Sequence, residues 1–274
     1  MTVAELLALA RRTLHPRPGM RFPQREARAF LAALLETSEA SILAHPEREV
    51  PEPLAARFLA FCQRRQAGEP FHLILGRCPF FGREFAVAPG VLVPRPETEL
   101  LVETALGLPL PSHPRVLDVG TGTGVLAVTL ALELPQAWVA GSDVDWRALR
   151  LATANARRHG AAVHFTLGSL LAPWGGGWDL VVANLPYLPE GYPAPPELAW
   201  ENPSALYAGP EGLSLLLPFL ADLPRVLAQG GFAVLEVGEG QAPVLAAQAP
   251  ANLVPHDVRF DAGGVERILV LRRL

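Results

Sequence analysis

The stretch VLDVGTGTG at residues 116–124 decides the fold of this chain. Its apolar start predicts a buried strand over 115–119, and the apolar run behind it predicts a helix through Leu134. Between strand and helix, glycines alternate with small threonines, so backbone N–H groups of this loop can approach a ligand closely. The start of the following helix favours an anionic group at the same place. The stretch therefore predicts a ligand-binding loop at the carboxyl end of a strand.

The spacing of the glycines distinguishes two kinds of cofactor loop. A dinucleotide fingerprint, G-x-G-x-x-G, needs a glycine at position 125, where this chain has valine. The pattern present, D-x-G-x-G-x-G, resembles the S-adenosylmethionine loop of the Rossmann-like methyltransferases. That resemblance implies that the loop wraps the amino-acid end of the cofactor and that Asp118 lies near its ammonium. A plain turn with a helix cap is the alternative. The loop residues concerned are Gly120, Thr121, Gly122, Thr123 and Gly124.

Beyond this loop, strands and helices alternate along the chain. Such alternation is typical of an α/β fold with a mostly parallel sheet and helices on both faces. The final stretch, HDVRFDAGGVERILVLRRL, has the pattern of two strands joined by a short turn, which would add an antiparallel edge. Further strands are predicted over 137–143, 163–166, 178–184 and 232–237, and helices over 146–159 and 213–227.

The second predicted strand of this series ends in Gly141-Ser142-Asp143. An acid at such a tip can accept hydrogen bonds from the two hydroxyls of a ribose. Helix capping is the alternative for Asp143, but Asp145 is the better candidate for the cap of the helix that follows. We therefore assign Asp143 to cofactor binding.

The stretch VVANLPYLP at 181–189 brings a side-chain amide, Asn184, to the end of another buried strand. Asparagine and proline are also common where a strand simply exits into a loop. The carboxyl edge of an open α/β sheet is, however, where ligands bind. Methyltransferases that act on planar nitrogens carry Asn-Pro-Pro-Tyr after their cofactor loop, and this stretch resembles that motif with Leu185 in place of the first proline.

The chemistry of a planar nitrogen explains these residue types. Its lone pair is delocalised and no ordinary side-chain base removes its proton in advance, so the site mainly has to orient it. The side-chain oxygen of Asn184 and the carbonyl of Leu185 can accept its two N–H groups and stabilise positive charge developing on the nitrogen. Pro186 fixes the turn, and Tyr187 can stack on the planar group. Beside a loop of the S-adenosylmethionine type, Asn184 and Tyr187 should face the sulfonium methyl, so Asn184 is also assigned to cofactor binding. We predict that the site survives the Leu185 substitution because the backbone carbonyl is unchanged, and that no metal is required.

Residues 1–73 have the pattern of a small helical bundle. Over residues 1–75 there are ten arginines and eight glutamates, which is compatible with recognition of a partner and equally with a simple accessory bundle. Apolar residues recur at helical spacing over 3–14, 23–36 and 53–68.

A change of pattern follows the bundle. Residues 74–93 are short apolar runs punctuated by glycines, which predicts a β-hairpin linker. A helix is predicted over 94–108, with Pro96 near its first turn. We place the catalytic domain over 94–274.

Composition narrows the function classes. The net charge of −4 argues against a general nucleic-acid binder, which is usually basic. The two cysteines, Cys62 and Cys78, have no metal-ligand pattern around them and fit a reducing compartment. Glu5 and Arg11-Arg12 interrupt the first apolar stretch, so no signal peptide is expected. The sequence contains no uncharged apolar run of about 18 residues. We expect a cytoplasmic protein without a membrane span.

Along nearly its whole length the chain resembles the bacterial release-factor glutamine methyltransferases, the HemK/PrmC family. The stretch PRPETE at 94–99 resembles that family's signature ahead of the cofactor loop. The stretch ENPSAL at 201–206 departs at Asn202, where the family usually has proline. Further matches are 209–213, Glu236, Val237, Gly238, Gln241, Asp261, Gly263 and Arg267.

The resemblance implies a fold and a reaction. The expected fold is a Rossmann-like methyltransferase sheet preceded by a helical bundle and a hairpin. The expected reaction is transfer of methyl from S-adenosylmethionine to the amide nitrogen of the glutamine in the Gly-Gly-Gln motif of class-1 peptide release factors. The resemblance also implies a cofactor contact near Leu170. Arg95 and Glu97 would line the glutamine pocket or organise its lid, or else only begin a helix and form a surface salt bridge.

Three alternatives remain open from the sequence. The sister family methylates a glutamine of a ribosomal protein. An adenine-N6 DNA methyltransferase would use the same Asn-Pro-Pro-Tyr motif. It would also need a DNA-recognition domain and a basic face. A cofactor-binding protein with an inactive site is suggested only by Leu185. We expect a monomer that binds a protein substrate and has no stable contact with nucleic acid.

Overall fold

The computed structural model describes residues 1–193 and 196–274, which divide into two compact units. The helical unit consists of Met1–Arg77 with Pro193–Trp200, and the sheet unit of Cys78–Tyr192 with Glu201–Leu274. Among the described residues, every helix is too short or too polar to cross a lipid bilayer.

The helical unit contains the three predicted helices and two short ones that the sequence did not predict. The two additions, α3 and α5, span fewer than two turns, which is too short for an apolar periodicity to show. Helix α1 begins at a capping box in which Thr2 and Glu5 bond each other's backbone N–H. The helices are α1 Val3–Thr13, α2 Pro23–Leu34, α3 Glu39–Ala44, α4 Glu52–Gln66 and α5 Phe71–Leu75.

A buried arginine lies within this unit. Arg65 is 1% exposed, and its guanidinium pairs with Glu26 and with Glu197 of the Pro193–Trp200 segment. It also donates to the backbone carbonyl oxygens of Gly19 and Glu69. A buried guanidinium is tolerable only when its donors are satisfied in this way.

The predicted hairpin is formed by β1 Arg77–Phe80 and β2 Arg83–Ala86. Phe81 and Gly82 join them, both with positive φ (47° and 71°), as a two-residue hairpin turn requires. The Glu99 carboxylate accepts the Phe81 N–H at 2.7 Å. This bond fastens the hairpin turn to the start of the next helix.

The sheet unit is a seven-stranded sheet in the order β5-β4-β3-β6-β7-β9-β8. Strands β3 to β7 are parallel to their neighbours within that group, and β9 is antiparallel to both β7 and β8. The predicted parallel sheet with an antiparallel terminal hairpin is confirmed. The strands are β3 Arg115–Val119, β4 Trp138–Asp143, β5 Val163–Leu167, β6 Trp178–Ala183, β7 Leu227–Glu236, β8 Leu253–Phe260 and β9 Glu266–Arg273.

Helices cover the sheet through two groups of buried apolar side chains. Helix α10 was not predicted, because Gly240 precedes it and Pro243 lies in its first turn, and both residues suggest a loop. Pro243 is tolerated there since the first turn needs no N–H donor. The helices are α6 Glu99–Leu106, α7 Val125–Glu133, α8 Trp146–His159, α9 Leu216–Val226 and α10 Gln241–Gln248.

Two strand boundaries differ from the predictions. Strand β6 ends at Ala183, so Asn184 is the first residue of the following loop. Strand β7 begins at Leu227 instead of 232, and its early part contains Gly230 and Gly231, opposite an irregularity in β6. Glycines inside a strand often mark such irregularities, and from sequence they suggest a loop.

Replacing Arg65 tests the buried ion pair. We expect Arg65→Ala to lower the free energy of unfolding by about 3–5 kcal/mol, because two carboxylates and two carbonyl groups lose their partner. Urea denaturation followed by circular dichroism measures this change. The matched control is Arg259→Ala, whose exposed guanidinium pairs with the exposed carboxylate of Asp257 and should contribute about 1 kcal/mol or less. Equal effects of the two substitutions would contradict the assignment.

Candidate active site

A cavity of about 190 Å³ opens at the carboxyl edge of β3, β4 and β6. The strands are in register there, with Asp118 beside Gly141 on one side and Val182 on the other. Ten of the predicted site residues line it: Arg95, Gly120, Thr121, Gly122, Thr123, Asp143, Leu170, Asn184, Leu185 and Pro186. Asp118, Gly124, Glu97 and Tyr187 are not among the described residues of its wall.

The glycine loop folds as its composition predicts. All three glycines have positive φ, between 53° and 82°, a conformation that other residues rarely adopt. Asn155 of α8 is fully buried and donates to the carbonyl oxygens of Thr123 (2.9 Å) and Ala86 (3.0 Å). Its side-chain oxygen accepts the Ala86 N–H at 2.8 Å. Sequence reasoning missed this residue, although an asparagine inside a helix is unfavourable enough to signal a specific role.

Asp118 lies under the loop and is fully buried. One carboxylate oxygen accepts the Thr121 hydroxyl at 2.6 Å and the Ala127 N–H at 3.1 Å. Its other oxygen has no hydrogen-bond partner within the described part of the chain. Burial raises the pKa of Asp118 to about 7, although both hydrogen bonds oppose that shift. Asp118 braces the loop against α7, and its proposed proximity to an ammonium stays a prediction.

Asp143 is half-buried on the cavity wall, as a ribose ligand should be. Its two carboxylate oxygens accept the N–H groups of Gly122 and Asp145, both at 2.9 Å. Burial raises its pKa, and these two bonds oppose the shift. Each carboxylate oxygen has a second lone pair, so the group can accept further hydrogen bonds. Asp145 caps α8 by accepting the Arg147 N–H, which confirms its predicted role.

Leu170 lies in the loop after β5, with φ of 48°. A leucine rarely adopts this left-handed conformation, so the surrounding structure must hold it there. The Gly168 N–H donates to the Asp143 carbonyl oxygen at 3.0 Å and ties the loop to the tip of β4. The loop thus meets the cavity beside the carboxylate assigned to ribose.

The turn after β6 brings Asn184, Leu185 and Pro186 to the cavity. The Asn184 side-chain N–H₂ group donates to the Thr98 hydroxyl at 3.1 Å. Tyr187 is half-buried, and its hydroxyl donates to the Glu236 carboxylate at 3.2 Å. The sequence matched Thr98 and Glu236 to a family pattern without giving either residue a role.

Leu185 is anchored by packing. Its side chain is 5% exposed and belongs to the apolar core beside β6. A Cβ added at Gly120 would lie 3.0 Å from its Cδ2 atom, so the leucine rests directly on the glycine loop. A proline would restrict the backbone at this position by fixing its φ angle. Here the burial of the leucine side chain restricts it.

Arg95 and Glu97 have different environments. The Arg95 guanidinium lines the cavity and pairs at 2.5 Å with Glu201, whose side chain is 1% exposed. Glu97 is exposed, and its charge contributes to raising the pKa of Tyr187 and Glu236. Arg95 therefore forms a salt bridge with Glu201, and its guanidinium lies on the wall of the cavity. No group of three potential metal ligands lies together in residues 1–193 and 196–274.

Two family profiles match the chain. One, described as Methyltransferase small domain, covers residues 96–196, and the other, PrmC N-terminal domain, covers residues 5–76. The chain is 39% identical over 254 residues to a release factor glutamine methyltransferase of Neisseria gonorrhoeae, covering 90% of this chain and 93% of that protein. It is 38% identical over 276 residues to one of Deinococcus radiodurans, covering 100% of this chain and 99% of that protein.

A solved structure supports the same fold. A methyltransferase from Pyrococcus furiosus aligns with a TM-score of 0.55 and 18% identity, covering 79% of this chain and 96% of that chain. At this identity the likeness concerns the fold alone.

The raised pKa of Asp118 predicts how stability depends on pH. Between about pH 4 and pH 7 the folded chain holds a proton on Asp118 that the unfolded chain has released, so this residue's contribution to stability falls as pH rises through that window. We expect the wild type to lose melting temperature relative to Asp118→Asn as the pH is raised from 4 to 8. Thermal unfolding of both proteins across that range measures the difference. A constant difference would mean that Asp118 titrates in its ordinary range.

Proposed function

Because the chain belongs to the release factor glutamine methyltransferase family, we propose that it methylates the glutamine of the Gly-Gly-Gln motif in class-1 peptide release factors, with S-adenosylmethionine as methyl donor. The methyl group would go to the side-chain amide nitrogen. The observation that carries the proposal is the orientation of Asn184, whose N–H₂ group is bonded to Thr98 so that its oxygen is available to a substrate.

The residues of the cavity fit this cofactor. Gly122 lines the cavity, and its φ of 53° lets the loop backbone turn towards a ligand there. Asp143 stands on the same wall as an acceptor for ribose hydroxyls. The glycine loop and the segment at Leu170 would enclose the rest of the cofactor. When bound, S-adenosylmethionine supplies a methyl group on a positively charged sulfur.

The substrate amide needs orientation more than activation. The lone pair of its nitrogen is delocalised into the carbonyl group. No ordinary side chain is a strong enough base to remove its proton in advance. The Asn184 side-chain oxygen and the Leu185 carbonyl would accept its two N–H groups and so aim the nitrogen. Orientation of this kind contributes roughly 7–11 kcal/mol in model reactions. For each N–C bond formed, the bond between the methyl carbon and the sulfur breaks, its electron pair stays on the sulfur, and one N–H proton is released to solvent.

The same carbonyl groups would also stabilise charge on the substrate nitrogen. Positive charge develops on the nitrogen as the new bond forms, and fixed carbonyl dipoles stabilise it without reorganising. Tyr187 is outside the cavity wall, and the stacking on the planar amide that the sequence suggested for it stays a prediction. We further propose that the helical unit recognises the release factor and that the enzyme acts as a monomer without nucleic acid.

The assay for this function uses methyl-labelled S-adenosylmethionine and the cognate unmodified release factor. We expect label on the glutamine of the Gly-Gly-Gln motif, located by mass spectrometry. The control substrate carries Gln→Ala at that position and should stay unlabelled. Label on a ribosomal protein or on DNA instead would overturn the proposed substrate.

Two substitutions separate substrate orientation from cofactor binding. Asn184→Ala should lower kcat by roughly 10²–10³-fold with cofactor affinity unchanged, because only the amide acceptor is lost. Asp143→Ala should weaken cofactor binding by about tenfold or more, because charge-assisted hydrogen bonds are lost. Single-turnover kinetics and calorimetric cofactor titration measure the two quantities. Near-normal turnover by Asn184→Ala would contradict the orienting role.

A further inference from the structure

Glu236 is a buried acid that the reaction itself does not use, and it is bonded to Thr98 of the cavity wall. It is the last residue of β7 and is 2% exposed. Its neighbour Leu235 is in register with Ala183, so Glu236 lies beside the residue that begins the catalytic turn. Burial raises its pKa, while the hydrogen bonds of two hydroxyls and the charge of Arg267 oppose that shift. The three preceding β7 residues are apolar, so an acid here needs a specific explanation.

The carboxylate of Glu236 holds one hydroxyl on each oxygen. The Thr98 hydroxyl donates to Oε2 at 2.7 Å, and the Tyr187 hydroxyl donates to Oε1 at 3.2 Å. Each hydroxyl has a single proton and donates it to this carboxyl group, which accepts both bonds. Glu236 thereby fixes the direction of both bonds.

This direction determines how the Asn184 amide is turned. Thr98 has already donated its proton, so at 3.1 Å from Asn184 its oxygen can only accept. Asn184 must then present its N–H₂ group to Thr98, which leaves Oδ1 pointing away. The two ends of an asparagine amide have nearly the same shape, so packing alone does not select between them.

The next residues of the turn are held from the other side. The Tyr187 carbonyl oxygen accepts the Gln241 side-chain N–H at 2.9 Å. A Cβ at Gly212 would lie 2.0 Å from that same oxygen, so only glycine permits this approach. The Gln241 side-chain oxygen in turn accepts the Gly238 N–H at 2.9 Å. These contacts hold the backbone of the turn at Tyr187. They do not set the orientation of the Asn184 side-chain amide.

We propose that Thr98 and Glu236 are positioning residues that set the polarity of the Asn184 amide, so that its oxygen and not its nitrogen meets the substrate. This inference rests on the proposed function and deepens it. A flipped amide would present N–H₂ to the N–H₂ of the substrate glutamine, and the two donors would repel each other. Thr98 and Glu236 thus exclude the wrong orientation by acting through Asn184.

The test removes the Thr98 hydroxyl while keeping its shape. Thr98→Val should lower kcat by about 10- to 100-fold, because the bond that selects the amide orientation is lost. Cofactor affinity should not change, and Thr98→Ser should restore kcat. The matched control is Thr104→Val, which removes a buried hydroxyl that donates to the Leu100 carbonyl oxygen of its own helix. This control should keep the wild-type kcat.

A double-mutant cycle distinguishes positioning from a structural effect. In an Asn184→Ala background, Thr98→Val should cost little further activity, because the two residues act through one interaction. Full additivity, or wild-type kcat in Thr98→Val, would overturn the proposal. If Thr98→Val does not fold, Glu236→Leu replaces it with the same expectations, since it removes the acceptor from both hydroxyls. A wild type that leaves the release-factor glutamine unlabelled would reject the proposed function, whereas a labelling wild type with an active Thr98→Val rejects only this inference.

Discussion

The buried carboxyl group of Asp118 makes the interaction on which the half of the cavity assigned to the cofactor depends. It joins the Thr121 hydroxyl in the glycine loop to the Ala127 N–H in the first turn of α7. The first N–H groups of a helix have no partner within the helix, and a carboxylate satisfies one of them while lying at the positive end of the helix dipole. Burial raises the pKa of Asp118 to about 7 and outweighs the two hydrogen bonds, which act in the opposite direction. A strand, a loop and a helix are thereby fixed at one point.

The two halves of the cavity are organised by different means. The half assigned to the cofactor is mostly backbone: glycines with positive φ, carbonyl groups held by Asn155, and N–H groups held by Asp143. The half assigned to the substrate consists of side chains in a hydrogen-bonded series from Asn184 through Thr98 to Glu236. This division suits a ligand of constant shape on one side and a reaction that needs one particular donor-acceptor polarity on the other.

Leu185 shows how one restraint can replace another. Proline at this place would stiffen the turn by fixing its φ angle. Leucine leaves that angle free, but its side chain is buried in the core and rests on Gly120. The backbone carbonyl assigned to the substrate is therefore held by a hydrophobic contact with the very loop assigned to the cofactor. An inactive site does not follow from the substitution.

The sequence by itself determined the elements and the loops that carry the chemistry. Glycine spacing, strand-helix alternation and the amide after β6 are local patterns, and local patterns reflect backbone geometry over a few residues. Only the tertiary structure decided the network around them. Thr98 lies 86 positions from Asn184 and 138 from Glu236, and Asn155 lies 69 from Ala86. A periodicity in the sequence cannot relate residues that are so far apart. They come together only when the parallel strands and their connecting segments pack. The same packing, by burying Glu236 beside two hydroxyls, determines which end of the Asn184 amide faces the cavity.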